Sequence, residues 1–253
     1  NKHLHPAGRN SNPAFANAIR WLPFIQTRID RPIMTKLVGQ SFLFLSLFLL
    51  GCTSIEKCPE GINLLPMYGG QTKCEEQVKD DKKFISECDA QFKSRQIAAK
   101  YHLDKGWEYF YKSDFETSMK RFNQAWLLDS SNADVYWGFG NLLGTKHEFR
   151  ESLPLLEKSI TLNPNNSKVY ECIATSYGQL FFETKDGTLL NKTIGNLKTA
   201  IQLDPKSASA FGQLTGAYTY FTQKDSARKY LALTDKLDPK AINPEVRKML
   251  TEN

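Results

Sequence analysis

Three tripeptides, Leu162-Asn163-Pro164, Leu203-Asp204-Pro205 and Leu237-Asp238-Pro239, recur along the chain, and their spacing restricts its folds more than any other feature. The last two prolines are 34 residues apart and the first two 41, and a step of 34 back from Pro164 reaches Ser130, preceded by Leu128-Asp129. The register therefore holds four copies: 99–132, 133–166, 167–207 with seven extra residues, and 208–241. One position in the first half of each copy is small: Gly106, Gly140, Ala174 and Thr215. The second half answers with Ser118, Ser152, Thr193 and Ala227, then Ala125, Ser159, Ala200 and Thr234. Bulky residues sit beside them, Tyr109, Leu143, Tyr177 and Tyr218 in the first half and Phe122, Leu156, Leu197 and Leu231 in the second. Small side chains let two helices cross tightly, large ones fill the space next to the crossing, and a proline past the second helix stops it so that the chain reverses. The pattern predicts helix pairs stacked in a row.

A 34-residue unit of two helices with these interior positions resembles the tetratricopeptide repeat (TPR) family, over residues 99–241. The resemblance implies an all-α fold, a TPR-type helical solenoid forming a right-handed α-α superhelix of about four helix pairs. Residues 242–253, with Pro244 at a helix start, read as a C-terminal capping helix. The seven extra residues of the third copy fall near 181–190, where Asp186-Gly187 and Thr188 predict a lengthened loop between the two helices.

The resemblance further implies a concave groove lined by the first helices. In the family register the groove-facing residues are Lys100, Leu103, Trp107, Phe110 and Tyr111 in the first copy, and Asp134, Trp137 and Asn141 in the second. Lys168, Glu171 and Thr175, then Ser209, Gln213 and Tyr220, continue the series. Aromatic anchors beside Asn and a few charges suit an extended or helical peptide, so the implied partner is a protein or peptide. Leu103 and Trp107 stand where chaperone-binding relatives carry the Lys and Asn of a carboxylate clamp, so a chaperone C-terminus is not implied. Two other occupants stay open: the chain's own Ile62 to Tyr68 segment, and a carbohydrate stacked on the aromatics, which would make the protein an envelope accessory or enzyme component.

From Met34 the chain reads as a basic n-region, an apolar run ending at Leu50, and a small-residue cleavage point at Gly51-Cys52. Taken generously as residues 37–50, the apolar run reaches roughly 21 Å as a helix at about 1.5 Å per residue, short of a hydrocarbon core of about 30 Å. Leu49-Leu50-Gly51-Cys52 resembles the lipobox of bacterial lipoprotein signal peptides. That resemblance implies a signal peptide over 34–51, cleavage before Cys52, and a mature protein anchored in the lipid bilayer through acylated Cys52. Thr53 is not the Asp that would retain a lipoprotein in the inner membrane, which favours the outer membrane, facing the periplasm. Residues 1–33 are read as an upstream extension ahead of a start at Met34. The net charge of +6 argues for no nucleic-acid partner once it is mapped. Six basic groups against one acidic lie in residues 1–51, leaving 27 basic against 26 acidic in the rest.

Between the lipid site and the repeats, residues 52–77 form a Cys-containing tether, and Val78, Ile85 and Phe92 at seven-residue spacing predict an N-terminal helix over 78–98 that runs into the first repeat. On one helix Cys74 and Cys88 would be about 21 Å apart, far beyond the roughly 7 Å Cα separation a disulfide tolerates. Cys58 and Cys74 are therefore the preferred disulfide pair, with Cys88 free and Cys172 a small core or groove residue. Neither a CxxC nor a His-rich cluster points to a metal, and no cofactor-binding motif is present. No GxSxG, HExxH or GxxxxGK[ST] occurs either, which removes the reason to expect an enzyme.

Overall fold

The computed structural model describes residues 57–252; the signal segment and Cys52 lie outside the described residues. Ten α-helices follow one another with no strand among the described residues. Helix α1 is Glu75–Gln91, and four pairs follow: α2 (Arg95–Tyr111) with α3 (Phe115–Leu128), and α4 (Ala133–Thr145) with α5 (Phe149–Leu162). The third pair is α6 (Ser167–Thr184) with α7 (Gly187–Leu203), the fourth α8 (Ala208–Tyr220) with α9 (Lys224–Leu237), and α10 (Pro244–Thr251) closes the chain. Each helix packs most closely on the other member of its pair, and the second helix then meets the first helix of the next pair. First helices also touch one another directly, α2 with α4 and α4 with α6, which makes them the inner, shorter side of the stack.

The recurring Leu-Asx-Pro has a local cause. In all four copies the Asx side chain accepts the backbone N–H two residues on: Asp129 from Ser131 at 3.0 Å, Asn163 from Asn165 at 3.1 Å, Asp204 from Lys206 at 3.1 Å and Asp238 from Lys240 at 2.9 Å. That Asx turn ends the second helix, and in the last three copies the proline beside it has no N–H to continue the ladder. Three residues after the Asx a new cap starts the next first helix: Asn132 accepts from Asp134, Asn166 from Lys168 and Ser207 from Ala210.

Packing follows the small and large positions. The Phe122 ring is fully buried between two glycines of adjacent repeats: a methyl on Gly106 would overlap it, and one on Gly138 would lie 2.7 Å from its Cζ. At Gly140 the obstacle is Leu156, 2.6 Å away. Ala125, Ser159, Ala200 and Thr234 are all buried too. Burying an aromatic or aliphatic side chain of this size contributes roughly 1.5–3 kcal/mol relative to exposure, so each crossing adds a comparable increment.

Two expectations are corrected. The helix anticipated over 78–98 is broken. Helix α1 begins at Glu75 and stops at Gln91, Phe92 turns extended, and Ser94 caps a new helix by accepting from Ile97 at 3.3 Å. Spacing of apolar residues is blind to that break because Phe84, Ile85, Cys88 and Phe92 still pack together against Ala98, Ala99 and Leu128. The lengthened loop of the third repeat is absent as well. Helix α6 has 18 residues against 13 in α4 and α8, α7 has 17 against 14 in α3, α5 and α9, and the connection is one residue shorter. The seven residues therefore lengthen both helices at the tip of the pair. Asp186 caps α7 by accepting from Thr188 at 2.8 Å, and Lys185 makes the reversal at φ 59.

Candidate protein-binding surface

The inner row of first helices gathers the N-terminal aromatics into one cluster. Asn132 fixes the start of α4 through its bond to Asp134 N–H at 3.0 Å. The 3–4 residue spacing then places Asp134, Trp137 and Asn141 on one face. On α2 the same spacing aligns Leu103, Trp107, Phe110 and Tyr111. The rings of Trp107 and Trp137 come from neighbouring repeats and lie 4.6 Å apart. Trp107 also stacks on Tyr111 at 6.2 Å and meets Phe110 edge-on at 5.5 Å, while its far side rests on core residue Phe122 at 5.3 Å. Tyr111 remains 43% exposed at the outer end of the cluster.

Polar groups border this shelf. Asp134 is half-buried, and burial raises its pKa, with Asn166 and Lys100 acting in the opposite direction. The Asn141 amide nitrogen is buried with no hydrogen-bond acceptor among the described residues. Behind Trp137 lies Cys172, whose thiol burial pushes up to about 12, so it is a packing group rather than a nucleophile.

The C-terminal half of the expected groove is different. Glu171 and Gln213 are 4% and 7% exposed, so they are not offered to a ligand. Glu171 Oε1 is 2.9 Å from the Lys168 ammonium and accepts from the Ser207 hydroxyl at 2.8 Å. Gln213 accepts from Thr175 at 3.2 Å and donates to Ser209 at 3.2 Å. Both residues join repeat 3 to repeat 4. Tyr220 packs its ring on Phe182 at 4.7 Å, part of the lengthened α6. Helix α8 is buried from Ala210 to Thr219. Gly212 lies so close to the carbonyl of Ala241 that a methyl group has no room, and Gly216 faces Val246 of α10. These two glycines are the sequence signal for a covered face, because close backbone approach is what a helical Gly permits.

The other candidate occupant, the Ile62 to Tyr68 segment, lies mainly on α3, the second helix of repeat 1. There Asn123 Nδ2 donates to the carbonyls of Asn63 and Leu65 at 3.0 and 2.9 Å. Cys58 and Cys74 are joined by a disulfide with Cα atoms 5.1 Å apart. Cys88 is free and buried, its sulfur 3.8 Å from His102 Nε2. Among the described residues no group of three or more His, Cys, Asp or Glu side chains converges as metal ligands do.

The geometry is that of a TPR-type α-solenoid. No protein-family model and no curated protein matches the chain. Solved structures do: a thermophilic TPR protein of Thermus thermophilus shares 17% identity at TM-score 0.52, over 61% of this chain and 80% of that one. MamA shares 19% identity at TM-score 0.48, over 56% of this chain and 79% of that one. MamA from Desulfovibrio magneticus shares 16% at TM-score 0.46, over 63% and 94%. At 17% identity it is the fold alone that the Thermus protein holds in common with this chain.

Proposed function

We propose that this protein is a lipid-anchored scaffold of the bacterial cell envelope that binds a peptide or protein partner through the aromatic shelf of repeats 1 and 2. The observation that carries the reading is the Trp107–Trp137 pair, two large rings from adjacent inner helices in contact at 4.6 Å and flanked by exposed Tyr111. Clustered Trp and Tyr on a rigid element are the side chains that dominate protein interfaces, because they bury large areas with few rotors to immobilise. The unsatisfied Asn141 donor and half-buried Asp134 beside them suit a segment presenting a backbone carbonyl and a cation. The reading assigns no catalytic role to any residue. Acylation at Cys52 anchors the chain, on this reading in the outer membrane facing the periplasm; two or more acyl chains make such an anchor stable.

A photo-crosslinking amino acid at Tyr111 in intact cells tests it. Partner adducts are expected there and not at Gly195, which is exposed on a second helix. Equal labelling at both positions, or none, rejects the shelf as the binding face. Saturable oligosaccharide binding lost in Trp137→Ala would replace the peptide with a carbohydrate. Cys52→Ser is expected to release the protein from membranes, and unchanged membrane association removes the anchor from the proposal.

A further inference from the structure

The disulfide Cys58–Cys74 closes a loop of sixteen positions that lies as a strap over the outer helix of repeat 1. Its grip is narrow. Between the two cysteines only Ile62 is buried, while Met67 reaches the core cluster around Met119 and Phe122 and Tyr68 meets Trp126 edge-on at 6.3 Å. Its one deep polar anchor on α3 is the Asn123 amide, 1% exposed, which binds two strap carbonyls; the other polar ties, Lys73 to Asp81 and Gln77 to the Pro59 carbonyl at 2.7 Å, run to α1 next to Cys74 and not to the surface beneath. Against this, four consecutive strap residues have positive φ, Met67, Tyr68, Gly69 and Gly70 at 52, 58, 65 and 65, and for the two non-glycine residues that conformation is unfavourable. A segment with so little buried surface and two unfavourable backbone positions stays ordered because the cross-link removes most of its alternatives.

We propose that residues 59–73 are a redox-released cover, and that the α3 surface beneath, built from Met119, Asn123 and Trp126, is a second docking site, for a turn-forming peptide whose carbonyls replace those of Asn63 and Leu65. Opening requires a dithiol reductant. Its thiolate attacks the sulfur of Cys58, the more open of the pair, and Cys74 leaves as a thiolate that takes up a proton. The second thiol of the reductant then displaces Cys58. Two cysteine thiols remain on the protein, and the reductant departs as its disulfide. The strap itself shows what the surface accepts: two tight turns, Ile62–Leu64 and Pro66–Gly70, joined at extended Leu65, with the carbonyls of Asn63 and Leu65 on Asn123 and the side chains of Met67 and Tyr68 on the apolar surface beside it.

Hydrogen exchange read by mass spectrometry, on the full chain with and without dithiothreitol, tests the cover. Reduction is expected to speed exchange in 59–73 at least tenfold while 133–237 keeps its protection. Unchanged protection of 59–73 overturns the proposal. Loss of protection throughout the repeats overturns it too, because the bridge is then a global staple and not a latch. The Cys58→Ser/Cys74→Ser double variant should reproduce the reduced pattern without reductant. A fluorescent synthetic peptide of residues 59–73 should bind the double variant at least tenfold more tightly than the oxidised chain. Equal binding to both overturns the docking site beneath the strap.

Discussion

The hydroxyl of Ser152 donates to the carbonyl of Gly140 at 2.8 Å, tying the second helix of repeat 2 to the point where the first helix comes nearest. Ser118 does the same to Gly106 at 2.8 Å in repeat 1, and Thr193 reaches Ala174 at 3.3 Å in repeat 3. Repeat 4 has Ala227 at this place, and its Thr215 bonds within its own helix, to Phe211 at 2.9 Å. A carbonyl already bound in its helix has a second lone pair to give, and only a small residue lets a hydroxyl come close enough to use it.

Filling that crossing should be costly. Gly140→Ala places a methyl 2.6 Å from Leu156 Cγ, and both helices are packed on their far sides. Overpacking of this kind destabilises by about 1–3 kcal/mol. Urea unfolding should show a loss in that range, against less than about 0.5 kcal/mol for Gly195→Ala, whose methyl would meet nothing within 4 Å.

The turn of repeat 4 offers the opposite test. Thr222 is held at φ 57, as Ser113 and His147 are at φ 60 and 63 in repeats 1 and 2. A β-branched residue is the least suited to that region, and glycine adopts it freely. Thr222→Gly should stabilise by about 1 kcal/mol and raise the melting temperature. A fall would show that the hydroxyl bond to the Phe221 carbonyl outweighs the backbone term.

Acid should loosen the C-terminal cap. Arg247 donates to both carboxylate oxygens of Asp235, and this pairing lowers the Asp235 pKa. A carboxylate with a lowered pKa in the folded state contributes stability above its ordinary value of about 3.9 and loses it as the pH falls through the lower folded value. Amide exchange at 244–251, corrected for the intrinsic pH dependence of exchange, should therefore show weaker protection near pH 3 than near pH 6. The difference should vanish in Asp235→Asn.

The two free thiols among the described residues should be silent. Burial pushes the Cys172 thiol up to about 12 and raises that of Cys88 as well. Neither should take up a maleimide at pH 7.5 in the native protein over minutes, and both should do so in guanidinium. Rapid native labelling of Cys172 would mean that the Trp137 shelf opens spontaneously.

The paired-helix architecture is legible in the sequence because it depends on residues that recur: the Asx turns at 129, 163, 204 and 238, and the glycines that face Phe122 and Leu156. Trp107 and Trp137 can be placed on the inner row from the register alone. Glu171 and Gln213 cannot be judged the same way, because a register gives the direction a side chain takes from its helix and not what covers it from elsewhere. Their burial depends on the joint between repeats 3 and 4, where Ser207 and Ser209 are short enough to pair with them. Asp186-Gly187 suggests a loop for the seven added residues because it is a turn signal, and a turn does form there; it is simply short, and the added length goes into helix on either side.

A row of like units presents a ligand with several nearly equivalent places to sit, and moving along by one unit costs it little. The raised end of α6 and α7 removes that degeneracy. It adds five residues to α6, about 7.5 Å of helix at 1.5 Å per residue. It also rests on both neighbours, through Glu183 with Arg150 at 3.9 Å and Phe182 with Tyr220 at 4.7 Å. The molecule thereby gains a landmark: a partner laid along the inner side meets a projection on one flank at the third unit only, and so can be held in one direction and one position.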